Sequence, residues 1–338
     1  MQKKIIALAI ASALTVPALA LADTGNVTVY GQANVSYDFV KTGGNNDVTN
    51  NKVSTNASRL GLKGSEDLGG DLSVIWQIES GIAFDVGGDT LATRNTFAGL
   101  SSKSAGSVTL GKNDVPYKTA TRRLDMFGDS LADSRSLTGV NGAMDMRAND
   151  LISYNTPEMS GFSGAIAYAN KSEDRVNSVA TPDKSSVVSL AGMYNAGPLY
   201  ATMAYQKVDL GKTDHTGWKL GVGYTMAAFT GNIVYENVDL DTTDDTKIWY
   251  LAGKYSFGND AVKAAYTRDD MGGNTKKAKQ WSLGYDHNMS KRTSLYALYT
   301  KMNDVATTVT LGACGNQNCA KINGDDPSGF SFGLKHSF

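Results

Sequence analysis

The residues best placed to do chemistry lie between Asp114 and Arg147. There Lys118, Arg122, Arg123, Asp125, Asp129, Asp133, Arg135 and Asp145 are interspersed with small side chains. The stretch shows neither strand alternation nor a sustained helical stripe. A loop this long inside a compact domain is normally functional. Its chemistry is electrostatic. Fixed charges of both signs across a narrow, poorly screened gap create a field that orients dipolar solutes and sorts ions.

Other chemistries find little support. The 3 histidines, His215, His287 and His336, are expected in a loop, beside a turn and in the last strand. No serine stands in a nucleophile motif. Neither a metal nor a cofactor is expected, and no global basic field points to nucleic acid. The 2 cysteines, Cys314 and Cys319, are too few for an ordinary zinc site. The chain reads as a non-enzymatic protein.

The N-terminus addresses the chain. Lys3 and Lys4 precede an Ala-rich apolar run to Ala22, and Ala20-Leu21-Ala22 fits a small-x-small cleavage site. Ala18-Leu19-Ala20 is an alternative. Residues 1–22 therefore read as a signal peptide and 23–338 as one mature domain. Loss of the leader removes Lys3 and Lys4 and no acid, taking Lys plus Arg from 32 to 30 against 33 Asp plus Glu, a net charge of −3. In an exported chain, the close cysteine pair suggests a small disulfide loop.

The elements that must carry these residues are strands. In the first segment Val27, Val29, Val35, Tyr37 and Phe39 share one parity, and Thr28, Tyr30, Gln32, Asn34 and Asp38 share the other. This is one apolar and one polar face. The pattern repeats over sixteen segments of the sequence, joined alternately by tight turns and by longer polar connections, near 41–57 and 114–147 among others. An even count, short turns on one rim and long loops on the other is the pattern of an all-β, transmembrane antiparallel barrel. Closure satisfies every backbone group within lipid. Aromatics near strand ends suit interfacial girdles, Trp76, Trp218, Trp281 and Tyr285 among them. The polar faces carry Arg59, Lys63, Glu79, Lys219, Glu236, Lys263 and Asp286, which a wet lumen accepts and a dry core does not. On this topology 114–147 enters the lumen and narrows it. A secreted β-sandwich binding protein and a membrane-embedded barrel hydrolase are the rival classes.

SRLGLKGSEDLGGDLSVIWQIE, RNTFAGLSSKSAGSVTLGK, SYNTPEMSGFSGAIAY, HNMSKRTSLYALYTK and the closing GFSFGLKHSF follow one another in this order. Together they resemble the general porins of Gram-negative outer membranes, across essentially the whole mature chain. The resemblance implies a sixteen-stranded homotrimer with a third loop in each pore, set among outer-membrane lipid and lipopolysaccharide. It implies passive diffusion of small hydrophilic solutes and ions, with a substrate-selective channel as the alternative. It also implies a basic wall facing acids on the loop. By matching motif, Arg59 and Lys63 lead the wall set, with Arg94, Lys112 and Arg147 further candidates. The alternation of Val108 and Leu110 turns Lys112 outward unless a bulge resets the register. Asp125, Asp129 and Asp133 stand opposite the wall, with Arg122 and Arg123 beside them. Phe127 is the anchor of the loop tip, and Gly128 permits its bend. The loop's own bases tip the expectation to mild anion preference. Phe338, on an alternating last strand, resembles the signal read by the barrel-assembly machinery.

Overall fold

The computed structural model describes residues 25–43, 48–88, 91–137, 144–170, 185–241, 244–270, 277–305 and 326–338. These form one closed antiparallel barrel. The strands are β1 (Gly25–Lys41), β2 in two segments (Thr49–Thr55 and Arg59–Gly69), β3 (Leu72–Gly81), β4 (Thr96–Ser102) and β5 (Gly106–Asp114). After the long loop come β6 (Arg147–Asn155), β7 (Phe162–Asn170), β8 (Ser186–Ala196), β9 (Leu199–Asp209), β10 (Asp214–Met226) and β11 (Phe229–Asp239). The set ends with β12 (Thr246–Phe257), β13 (Asp260–Asp270), β14 (Ala278–Asn288), β15 (Thr293–Asn303) and β16 (Ser328–Ser337). Each strand pairs with its sequence neighbour. Closure comes from β1 against β16, Gln32 opposite Ser337 through Lys41 opposite Ser328. The Gly31 and Phe338 backbones exchange hydrogen bonds at 2.9 and 3.1 Å just beyond.

The second barrel position departs from expectation. Residues 41–57 read as a connection in the sequence, yet Thr49–Thr55 is strand, paired to the upper half of β1. The lower segment, from Arg59, pairs to the lower half. Between them Ala57 takes a φ of +53°, an uncommon conformation for a side-chain-bearing residue. Asn34 holds the break. Its carbonyl accepts from the Asn56 amide at 2.8 Å and from Ser58 Oγ at 3.0 Å. His215 is also in a strand, β10, rather than a loop.

The barrel is apolar outside and polar within. Outward Leu110, Ile152 and Leu283 are 56, 52 and 58% exposed, whereas inward Gln206, Lys219 and Glu236 are buried. So much contiguous exposed apolar surface marks a membrane contact. Among the described residues the apolar core lies mainly inside the barrel, where the long loop packs on the wall.

Candidate functional site

The loop enters the lumen through a short helix, α1 (Pro116–Arg122). Pro116 suits its first turn, where the missing N–H costs nothing. Seven residues are too few to hold a helix alone, so the wall supplies the rest. Val115, Tyr117 and Ala120 pack on a floor of Ala167, Ala169, Ala191, Ala204 and Val208. Gly217 and Gly221 make room for them. A Cβ at these positions would lie 2.8 Å from the Tyr117 hydroxyl and 2.5 Å from Leu124 Cδ1.

Wall side chains then satisfy the loop backbone. Ser189 Oγ accepts from the Tyr117 amide at 2.9 Å, and the Tyr200 hydroxyl donates to the Ala120 carbonyl at 2.6 Å. Asn232 donates to Leu124 O and Gln206 to Met144 O, at 2.7 and 2.8 Å. Beneath α1 lies a buried ionic knot. Lys219 pairs with Asp145 of the returning loop and, at 3.5 Å, with Glu236. Tyr117 donates to Glu236 at 2.7 Å, and its ring sits 4.2 Å from the Lys219 ammonium. Burial, and then Glu236, push the Tyr117 phenol well above its ordinary pKa.

At the loop tip Phe127 is buried with Leu131, Ala132 and Leu137 against Val40, Leu298 and Met302. Gly284 leaves space for the Phe127 ring, and the Lys263 ammonium lies 4.9 Å from its centre. Gly128 and Asp129 turn the chain, Asp129 at a φ of +58°. Asn34 Nδ2 donates to the Asp129 carbonyl at 2.7 Å.

The charges do not divide simply into an acidic loop and a basic wall. Arg122 Nη2 holds Asp129 at 2.6 Å and Asp133 at 2.9 Å, and its Nη1 lies 3.6 Å from Asp125. Arg135 adds contacts to Asp133 at 2.8 Å and Asp129 at 3.2 Å. Burial alone would raise both acids, but Arg122 and Arg135 keep Asp129 and Asp133 below the usual carboxylate pKa. Asp125 accepts from Ser134 N, Ser134 Oγ and Phe127 N at 2.8–2.9 Å. The expectation that all three acids stand opposite the basic wall is thus corrected, and Asp125 meets the wall through the Tyr250 hydroxyl, which donates to it at 3.2 Å. The Asp125 and Asp133 side chains are 5 and 0% exposed, and only Asp129, at 21%, reaches across to Arg59, at 3.8 Å.

On the wall, the β2 break positions Arg59. Its Nη1 donates to Ala57 O at 3.1 Å, and its Nε lies 3.8 Å from Glu79. Arg94 holds Glu79 at 2.6 Å, and the Tyr30 hydroxyl donates to it at 2.9 Å. Lys63 lies over the Tyr30 ring at 5.3 Å. Arg147 and Lys118 flank Asp114 at 3.2 and 2.7 Å where the loop leaves the wall. Lys112 is a correction. It lies opposite Thr96, which lies opposite the lipid-facing Ile78. The register shift against β6 falls at this position, between Gly111 and Asn113, but the pairing to β4 runs through Lys112 without a shift, so Lys112 keeps the outward parity. Arg123 is exposed, its guanidinium carbon 4.1 Å from the Tyr200 ring centre.

Sequence reasoning missed Lys335 as a wall residue. It has the parity opposite to Phe332 and Leu334, and Asp129, Arg59, Lys263 and Arg122 are its charged neighbours. The parity rule that found Arg59 would have found it. Lys219, Glu236 and Lys263 were legible as lumen residues, but their roles beneath the loop were not. Cys314 and Cys319 lie outside the described residues.

A closed antiparallel barrel, apolar outside and charged within, with a loop packed into its lumen, is a membrane channel of the β-barrel class. The chain belongs to the Gram-negative porin family, which it matches over residues 7–307. It is 33% identical to outer membrane porin protein 32 of Delftia acidovorans over 362 aligned residues, covering 100% of both chains. It is 27% identical to an outer membrane porin protein of Bordetella pertussis, covering 80% of this chain and 87% of that one. Its fold superposes on the anion-selective porin from Comamonas acidovorans with a TM-score of 0.77 at 27% identity, covering 93% of this chain and 100% of that one. It is an outer-membrane channel for passive diffusion, and the family is not enzymatic.

Proposed function

We propose that this porin favours anions among the small hydrophilic solutes and ions that cross it. The observation that carries the reading is how the charges are shared. The loop carboxylates are held by the loop's own Arg122 and Arg135. Among the described residues, Lys63, Arg123 and Lys335 have no carboxylate within 4.0 Å. Three uncompensated cations in a confined lumen attract anions and repel cations. The likeness to a porin described as anion-selective supports the same sign. Reversal potentials across a planar bilayer in a potassium chloride gradient test it. Wild type is expected on the anion side, with Arg123→Glu plus Lys335→Glu shifted toward cations. A cation-selective wild type overturns the proposal.

We further infer a homotrimer. Outward aromatics near the long-loop rim run from Tyr205 through Trp218, Tyr235, Trp249, Trp281, Tyr299 and Phe330 to Phe39, with ring contacts along much of the row. The outward positions of β2 to β5 carry Leu60, Leu62, Ile78, Leu100, Val108 and Leu110, with Trp76 of β3 as the aromatic among them. An interfacial girdle marks the face that meets lipid, so its gap supports protein contact there. Cleavage after Ala22, a disulfide between Cys314 and Cys319, lipopolysaccharide around the rim and recognition of Phe338 by the assembly machinery belong to the same reading.

A further inference from the structure

The seam that closes the barrel holds a buried carboxylate with no counter-charge against it. Asp38 of β1 has the inward parity of Gln32 and Asn34 and is 1% exposed. Its Oδ1 accepts no hydrogen bond. Lys52 stands opposite it on the upper segment of β2, yet among the described residues no cation lies within 4.0 Å of Asp38. A bare ionised carboxylate in a buried place carries a large penalty.

Two hydroxyls beside it are also without partners. Ser331 is the direct cross-strand neighbour of Asp38 on β16. Ser54, opposite Ser36, is its diagonal neighbour on β2. Both are 0% exposed, and neither Oγ makes a hydrogen bond. Direct and diagonal neighbours on one face lie about 5 and 7–8 Å apart, so one ligand can meet all three side chains. The polar groups just below are committed to one another. Asn56 Nδ2 donates to Ser36 Oγ at 2.7 Å and to the Tyr296 hydroxyl at 3.1 Å, and Tyr296 donates to Asn34 Oδ1 at 3.1 Å. The loop tip covers the place. It is fastened on one side where Asn34 Nδ2 donates to Asp129 O at 2.7 Å, and on the other where Leu131 packs on Gly329 and Val40. Asp38 and Ser331 lie between these fastenings.

We propose that Asp38, Ser331 and Ser54 bind an alkali cation beneath the loop tip. A carboxylate and hydroxyls are oxygen ligands of the kind a hard cation takes, and hydroxyls turn their protons away from it. One carboxylate balances one charge. A divalent ion would leave a buried positive excess and calls for more carboxylates. Water would serve the hydroxyls but leave the charge of Asp38 uncompensated. The cation ties the closing seam to the loop, a role separate from the ion preference of the pore.

The test uses full-length protein refolded in a neutral detergent, with rubidium as the probe. Crystals grown in rubidium chloride should show an anomalous peak in contact with the Asp38 carboxylate, absent from D38N and weakened in S331A. In solution, tryptic cleavage beside Arg122 and Arg123 should be slower in rubidium chloride than in choline chloride of equal ionic strength. At ten times the half-effect concentration the slowing should be about tenfold, because a ligand held only by the covered state scales the opening equilibrium by 1 + [L]/Kd. D38N should be cut at one rate in both salts. Absence of either signal from wild type overturns the proposal, and a peak that persists in D38N marks an adventitious ion only and overturns it equally. S331A keeps the charge and the backbone ladder, so it carries the test if D38N does not fold, and an unchanged half-effect concentration in S331A overturns the proposal.

Discussion

Lys219→Met should unlatch the constriction loop while leaving the barrel intact. Lys219 is 1% exposed and is the cation that faces both Asp145 and Glu236 beneath α1. Methionine keeps much of the volume but strands two buried carboxylates. Removing one partner of a buried pair costs about 3–5 kcal/mol. Even 3 kcal/mol raises the ratio of undocked to docked loop about 150-fold. The ladders of β10 with β9 and β11 run backbone to backbone and lose nothing. Apolar packing of Val115, Tyr117 and Met144 remains, so the loop should visit the undocked state briefly rather than stay there. Single-channel recording should show the steady wild-type level broken by short excursions, and trypsin should cut faster beside Arg122 and Arg123. Lys219→Met combined with Asp145→Asn and Glu236→Gln removes all three charges of this knot and should restore most of the steady level. A single variant with wild-type noise and cleavage rate would refute the reasoning.

Two further outcomes follow from the tip. Phe127→Ala empties the pocket formed with Leu131, Leu298 and Met302. It should cost about 3–5 kcal/mol of tip docking, read as greater current noise with an unchanged melting temperature of the barrel. Asp129 and Asp133 have pKa values held below normal in the docked loop. Their contribution is complete above the ordinary carboxylate value of about 3.9 and is lost only as pH falls through the lower docked values. Asp129 and Asp133 should therefore add nothing to the pH dependence of the reversal potential from pH 7 to about pH 4, so wild type and D129N/D133N should trace parallel curves there. A steep rise in anion preference confined to wild type within that window would mean that the loop acids titrate as free groups.

The barrel was legible because strand periodicity survives in a single sequence. Val27, Val29, Tyr37 and Phe39 alternate with polar residues whatever surrounds them. Thr49–Thr55 escaped because TNNKVST is polar on both faces at the exposed rim, so pairing to β1 rather than burial makes it a strand. The helix α1 escaped because its Ala- and Gly-lined floor comes from β7 to β10, distant in sequence. Arg59 and Lys63 were found by parity, and Lys112 was misplaced by letting family habit outweigh the same parity. The loop acids show why composition could not give the field of the pore. Arg122 meets Asp129 and Asp133 because the chain reverses at Gly128 and Asp129, a contact that no periodic pattern announces. With those carboxylates neutralised inside the loop, the sign of the lumen passes to the cations that no carboxylate pairs. Counting charges along 114–147 therefore says little about selectivity. The decisive comparison is between charges that the fold has paired and those, such as Lys63, Arg123 and Lys335, that it leaves facing water.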